Sequence, residues 1–153
     1  MKLFAFLAGT ALLLHSPAFG QAKDSLLGTW ELDRGKSEFD PENTLQTRTV
    51  VFEAKDGGIS FLQKTVTDRG NTVQSDYTAK YDGKDVPISG SQLASVSLKR
   101  IDANMVERSG KIGGKVVETA TMKVSNNGKT LTITTKGSVE EVDYSSTQVY
   151  EKQ

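Results

Sequence analysis

The sequence predicts an all-β domain, an up-and-down antiparallel barrel of 8–10 strands, and three observations carry that expectation. Short stretches rich in Thr, Val, Ile and aromatic residues recur, separated at roughly ten-residue intervals by Gly, Asp and Asn, which is the composition of strands and tight turns. Four of the breaks, Asp56-Gly57-Gly58, Asp82-Gly83-Lys84, Gly113-Gly114-Lys115 and Asn127-Gly128-Lys129, offer the positive φ that hairpin turns demand, so each is expected to reverse the chain locally. Past residue 20 no stretch sustains a helical period; Lys36 to Asn43 has room for one turn, with Ser37 as its cap, before Pro41. Hairpins in series resolve their exposed edges most simply by closing the sheet on itself. A two-sheet sandwich is the alternative.

In chain order the strands are predicted over Gly28–Asp33, Leu45–Glu53, Ile59–Thr67, Thr72–Tyr81, Val86–Ile88, Ser95–Ile101, Met105–Lys111, Val116–Val124, Thr130–Lys136 and Ser145–Glu151. Weaker breaks at Arg69-Gly70-Asn71 and Asp102-Ala103-Asn104 complete the rhythm. Pro87 cannot donate to a ladder and makes the fifth strand short or an edge, with Ser89–Gln92 a loop beyond it. Alternation then assigns faces. Val73, Ser75, Tyr77, Ala79 and Tyr81 share the inward face of the fourth strand; Val96, Leu98 and Arg100 share another, as do Leu131, Ile133 and Thr135, and Arg48, Val50 and Phe52. Arg48 and Arg100 thus fall in register with apolar neighbours, as interior or rim charges.

The first twenty residues differ from the rest. Lys2 is followed by the apolar run Leu3–Leu14 and by Ser16-Pro17, the layout of a cleavable signal peptide. The run is short of the roughly 20 residues a membrane-spanning helix needs. Residues 1–20 are therefore read as a leader, with cuts before Gln21 or before Lys23 both fitting the small residues nearby, and 21–153 as one β domain that is exported to the periplasm or beyond. No cysteine follows the leader, so no lipid anchor is expected, and no transmembrane segment remains after processing.

The 133 residues after the leader carry 18 Lys and Arg against 19 Asp and Glu, which favours neither nucleic acid nor an anionic membrane as partner. A chain this long closes a core without disulfides or metals, and it is expected to act as a monomer. The only histidine, His15, lies in the leader, and there is no cysteine. Ser-His-Asp and Cys-His nucleophiles, thiolate chemistry, and zinc, haem or copper sites built on imidazole or thiolate are excluded by that. No cofactor and no metal site is expected. Glu140-Glu141 with Asp143 has no EF-hand spacing and reads as a solvated turn. Ser109–Lys115 has the glycines and lysines of a phosphate loop without their order or the following helix, and reads as a hairpin.

Gly28-Thr29-Trp30 opens the first strand and resembles the Gly-X-Trp signature at the start of lipocalins and related calycins. The resemblance implies that Gly28 and Trp30 are structural, the tryptophan plugging the closed end of a calycin-like barrel. Such a ring buries much surface where strands converge, and its N–H can reach a backbone carbonyl. At the other terminus Ser146–Lys152 resembles the last strand of intracellular fatty-acid-binding proteins, where Arg-X-Tyr holds a ligand carboxylate. Tyr150 matches, but Gln148 stands at the arginine position, and an amide lacks the charged fork that captures a carboxylate. About eleven residues, Arg34–Thr44, join the first two strands, too few for the helical lid of those barrels. The chain as a whole resembles a bacterial lipocalin-like exported protein.

Three functions follow from this reading. The first is a barrel holding a small hydrophobic or amphipathic molecule in its lumen, with Tyr77, Tyr81, Tyr150, Arg48, Arg100, Arg108 and Gln148 as the candidate ligand-binding residues. The second is a filled barrel that binds a protein, as a hydrolase inhibitor does, through Ser89–Gln92 and the Phe39-bearing segment Arg34–Asn43. The third, an enzyme, would need paired carboxylates such as Glu107 and Glu118 across the Gly113-Gly114 hairpin. The expected answer is a binder without catalysis.

Overall fold

The computed structural model describes residues 23–39 and 45–153; the expected leader and Pro41 lie outside them. Ten strands follow in chain order: β1 (Gly28–Glu38), β2 (Leu45–Lys55), β3 (Gly58–Thr67), β4 (Thr72–Ala79), β5 (Val86–Pro87), β6 (Ser95–Asp102), β7 (Met105–Ile112), β8 (Lys115–Val124), β9 (Thr130–Val139) and β10 (Val142–Lys152). No helix occurs among the described residues. Every ladder is antiparallel, and the sheet order is β4-β3-β2-β1-β10-β9-β8-β7-β6-β5. The first and last strands are neighbours, with Trp30 opposite Lys152 and Leu32 opposite Tyr150. The two ends of the sheet, β4 and β5, meet through one bridge between Asp76 and Ser89, whose amides donate to each other's carbonyls. The result is a nearly closed up-and-down barrel, as the serial hairpins predict.

The turns carry the conformations their residues allow. Gly57, Gly83, Gly113, Gly114 and Gly128 all have positive φ. Asp82-Gly83-Lys84 nevertheless makes no hairpin. The chain there leaves the end of β4 and crosses to β6, with Asp82 bridging Lys99 and the Gly83 amide donating to the Leu98 carbonyl. Tyr81 accordingly lies beyond β4. The expected cap at Ser37 is a different device. β1 runs on to Glu38 through a bulge between Asp33 and Glu38, and there the Ser37 hydroxyl donates to the Asp33 carbonyl at 2.6 Å and accepts from the Val149 amide at 2.9 Å. A side chain thus replaces a missing ladder partner, and Arg34–Glu38 is strand instead of loop. β9 and β10 extend toward each other beyond their predicted limits, because Glu140 and Glu141 take φ of 52° and 65° and turn the chain in two residues.

Alternation sorts the interior into two halves. Toward the Trp30 end, Trp30, Val50, Phe52, Ile59, Leu98, Val106, Met122, Val124, Leu131 and Tyr150 are buried in one cluster. The segment before β1 closes this end: Leu26 is buried, and its carbonyl accepts the Trp30 indole N–H at 2.8 Å. Lys152 lies over the indole at 5.0 Å. Gly28, with φ of 132°, leaves room for that lysine, whose Cε would sit 2.9 Å from a Cβ there. Of the predicted inward face of β4, Ser75, Tyr77 and Ala79 are buried while Val73 is half exposed at the strand's start.

Trp30 is the closed end's keystone, so Trp30→Ala is expected to cost about 3–5 kcal/mol. Trp30→Phe, which keeps a ring but strands the buried Leu26 carbonyl, should cost about 1–3 kcal/mol. Denaturant unfolding of both variants measures this, and equal stability of Trp30→Phe and the parent would contradict the hydrogen-bond role.

Candidate functional site

The barrel's other half is open. A cavity of about 500 Å³ enters there, between the β7–β8 and β9–β10 tips and the connection between β5 and β6. Its floor is aromatic: Phe61 stacks on Tyr77 with ring centres 4.6 Å apart, and Phe52 tilts against Phe61 at 5.4 Å. Above the floor comes a polar belt contributed by the inward positions of seven strands, namely Arg48 (β2), Gln63 (β3), Ser75 (β4), Arg108 (β7), Glu118 (β8), Thr135 (β9), and Ser146 and Gln148 of β10. The rim is apolar again, with Ile88, Leu93, Ile112, Val139 and Val142. Leu93 reaches inward over Gly110, where a Cβ would approach its side chain to 2.6 Å.

Two polar clusters organise the belt. In the first, Arg48 crosses the width of β1 to donate from Nη1 to Gln148 Oε1 at 2.8 Å, and from Nε to Thr65 Oγ1 at 2.9 Å. The same Gln148 oxygen accepts the Tyr150 hydroxyl at 2.6 Å, while its amide nitrogen donates to Ser146 Oγ at 3.3 Å. Where the fatty-acid-binding resemblance leads one to expect arginine, the amide therefore holds an arginine that comes from β2. In the second cluster Arg108 pairs with Glu118, both largely buried, and the Tyr144 hydroxyl donates to Glu118 Oε2 at 2.9 Å. Tyr144 reaches Glu118 by lying across Gly137, where any Cβ would meet the tyrosine ring at 2.3 Å. Beneath them the Tyr77 hydroxyl and Arg108 Nε are buried without a hydrogen-bond partner.

Of the sequence-predicted residues, the structure thus brings together Arg48, Arg108, Gln148, Tyr150 and Tyr77. The first three line the cavity; Tyr150 and Tyr77 lie buried below it. Tyr81 and Arg100 lie at the closed end instead. Arg100 stacks on the Tyr81 ring at 4.1 Å and donates to Asp24 Oδ2 at 2.7 Å, and the Tyr81 hydroxyl donates to the same carboxylate, so both pin the segment before β1. Alternation states the face of a strand and not the height along the barrel. Glu107 and Glu118 do not pair: Glu107 stands opposite Thr121 and Glu118 opposite Gly110, on opposite faces of the sheet. That removes the carboxylate pair on which catalysis was to rest. Tyr144 is a wall residue absent from the sequence reading, and Glu118, singled out there only as a carboxylate, belongs to the wall as well. The inward phase of Ala120 and Met122, carried back two residues, reaches Glu118; Tyr144 was lost with the β9–β10 turn.

All four tyrosines hold their protons tightly. Burial pushes Tyr77 and Tyr150 up, with the Arg108 and Arg48 guanidiniums opposing it. Burial and the Asp24 carboxylate raise Tyr81, and burial with the Glu118 carboxylate pushes Tyr144 up to about 12.

No family model matches the sequence, and no curated protein matches it. Among solved structures, zebrafish ileal bile acid-binding protein complexed with cholic acid matches with a TM-score of 0.53 at 12% identity, over 84% of this chain and 99% of its own. As-p18, an extracellular fatty acid binding protein, matches with a TM-score of 0.56 at 16% identity, over 85% of this chain and 97% of its own. The likeness is one of fold: a calycin-like, lipocalin-like all-β barrel.

Two outcomes are expected from this chemistry. Because all four folded-state tyrosine pKa values are raised above an unfolded value near 10, their contribution to stability is complete below about pH 10 and is lost as pH climbs through the folded values. Alkaline absorbance titration should show late phenolate formation coinciding with unfolding, and a tyrosine of the folded protein titrating normally would refute it. Glu118→Gln, which leaves the Arg108 charge unmatched in the wall, is expected to destabilise by about 3 kcal/mol in denaturant melts.

Proposed function

We propose that this chain is an exported barrel, its leader at residues 1–20, that binds a small amphipathic molecule in its lumen as a monomer and without catalysis. The observation that carries this is the cavity of about 500 Å³, which lies inside the usual range of about 300–1,000 Å³ for small-molecule sites. Its layering suits an amphipathic guest: polar groups deep in the lumen, where they fix orientation, and apolar side chains at the rim. Arg48, Arg108 and Gln148 are the wall residues assigned to ligand contact, and Tyr77 and Tyr150 support them from below. Tyr81 and Arg100 are assigned to closing the far end. That the fold accommodates such guests is supported by the cholic acid complex of the zebrafish protein.

The loop-binding alternative called for a lumen with no cavity above about 300 Å³. Its contacts would be Ser89–Gln92 and the segment Arg34–Asn43. Arg34–Glu38 is strand, and Ser91 and Gln92 line the cavity; the cavity's volume is what favours the lumen over that reading.

The neutral dye N-phenyl-1-naphthylamine tests lumen binding. Its fluorescence should rise to saturation at one site per chain, and Thr135→Trp, which places an indole in the cavity from β9, should abolish the signal. A dye that fails to bind, or that binds equally well to a folded Thr135→Trp protein, would sink the proposal.

A further inference from the structure

We infer that the lumen selects molecules bearing one negative charge, with the Arg48 guanidinium as their anchor. This rests on lumen binding as proposed above and adds the chemical class of the guest.

The charges in the cavity wall are Arg48, Arg108 and Glu118. Arg108 and Glu118 answer each other. Arg48 has no carboxylate within ion-pair distance among the described residues; its contacts, Thr65 Oγ1 and Gln148 Oε1, are neutral. A guanidinium carries five N–H donors in a rigid fork, and Thr65 and Gln148 satisfy one each. No carboxylate among the described residues meets the other donors. An unmatched charge beside an apolar floor is costly, and an entering anion relieves that cost while meeting the fork in the planar, paired geometry it favours.

The surroundings keep this donor set in place. Gln148 is itself held, its oxygen by the Tyr150 hydroxyl and its nitrogen by Ser146. Its oxygen therefore faces Arg48, and the guanidinium is braced from two strands, β3 and β10, before a ligand arrives. The same wall limits the guest to one charge. Glu118 stands across the lumen, and its carboxylate opposes a second negative group, while Arg108 is already engaged. A sulfonate, carboxylate or phosphate monoester anion fits in that respect only when it brings a single charge to Arg48. The apolar rim then receives the guest's body, so the head enters first and the tail lies among Ile88, Leu93, Ile112, Val139 and Val142.

The matched dyes 1-anilinonaphthalene-8-sulfonate and N-phenyl-1-naphthylamine differ by one sulfonate, which stays ionised at any working pH. Counting only binding that Thr135→Trp removes, the parent protein should hold the sulfonate dye about ten- to hundredfold more tightly than the neutral one. Arg48→Gln should bring that ratio close to one, and Arg48→Lys, which keeps the charge, should retain part of it. Equal affinity of the parent for the two dyes overturns this inference while leaving lumen binding standing. Failure of both dyes to bind overturns lumen binding itself. A preference that persists in folded Arg48→Gln overturns the assignment to Arg48, and the parent comparison decides the charge question even if neither variant folds.

Discussion

The pairing of β1 with β10 is the contact on which the rest of this barrel depends. Eight of the nine ladders join strands that are neighbours in the chain, but the two sheets so built have open edges and no inside. Setting Trp30 opposite Lys152 and Leu32 opposite Tyr150 joins the two halves of the chain and makes the inward phase of every strand converge on one interior. The indole is then trapped between the segment before β1, whose Leu26 carbonyl it meets, and the Lys152 chain above it. Closure and plugging are one event.

That closure also explains why the interior is chemically divided. The inward positions near Trp30 are nearly all aliphatic or aromatic and pack into one buried cluster. Those nearer the open end are Arg, Gln, Ser, Thr and Glu, which cannot fill space as hydrocarbons do and must instead satisfy one another. They do so as two clusters, Arg48 with Gln148 and Tyr150, and Arg108 with Glu118 and Tyr144. The cavity is what the polar half leaves unfilled. Its charge balance is unequal because one arginine has an acid and the other has an amide.

Much of the fold was legible from residues near each other in the chain. The strand starts at Gly28, Leu45, Thr72, Ser95, Met105 and Thr130 are marked by the change from turn residues to alternating ones, and a Gly with positive φ marks most reversals. Where two glutamates turn the chain at 140–141, no such mark exists, because the turn is imposed by the pairing of Val139 with Val142. Ser37 misled for a related reason. A serine before a short polar stretch is a good helix cap, but here the same hydroxyl serves the ladder between β1 and β10, a partner 112 positions away.

The chain's own pattern was enough for the class of fold, the inward residues of most strands, and the absence of imidazole and thiolate beyond residue 20. These are properties of composition and of period two, which any strand expresses locally. The tertiary structure alone decided height and partnership along the barrel. It sent Tyr81 and Arg100 to the closed end with Asp24, brought Arg48 to Gln148 over β1, and gave Arg108 its glutamate. Strand stagger and closure set which inward residues share a level, and those depend on pairings between segments far apart in the chain, which no local pattern encodes.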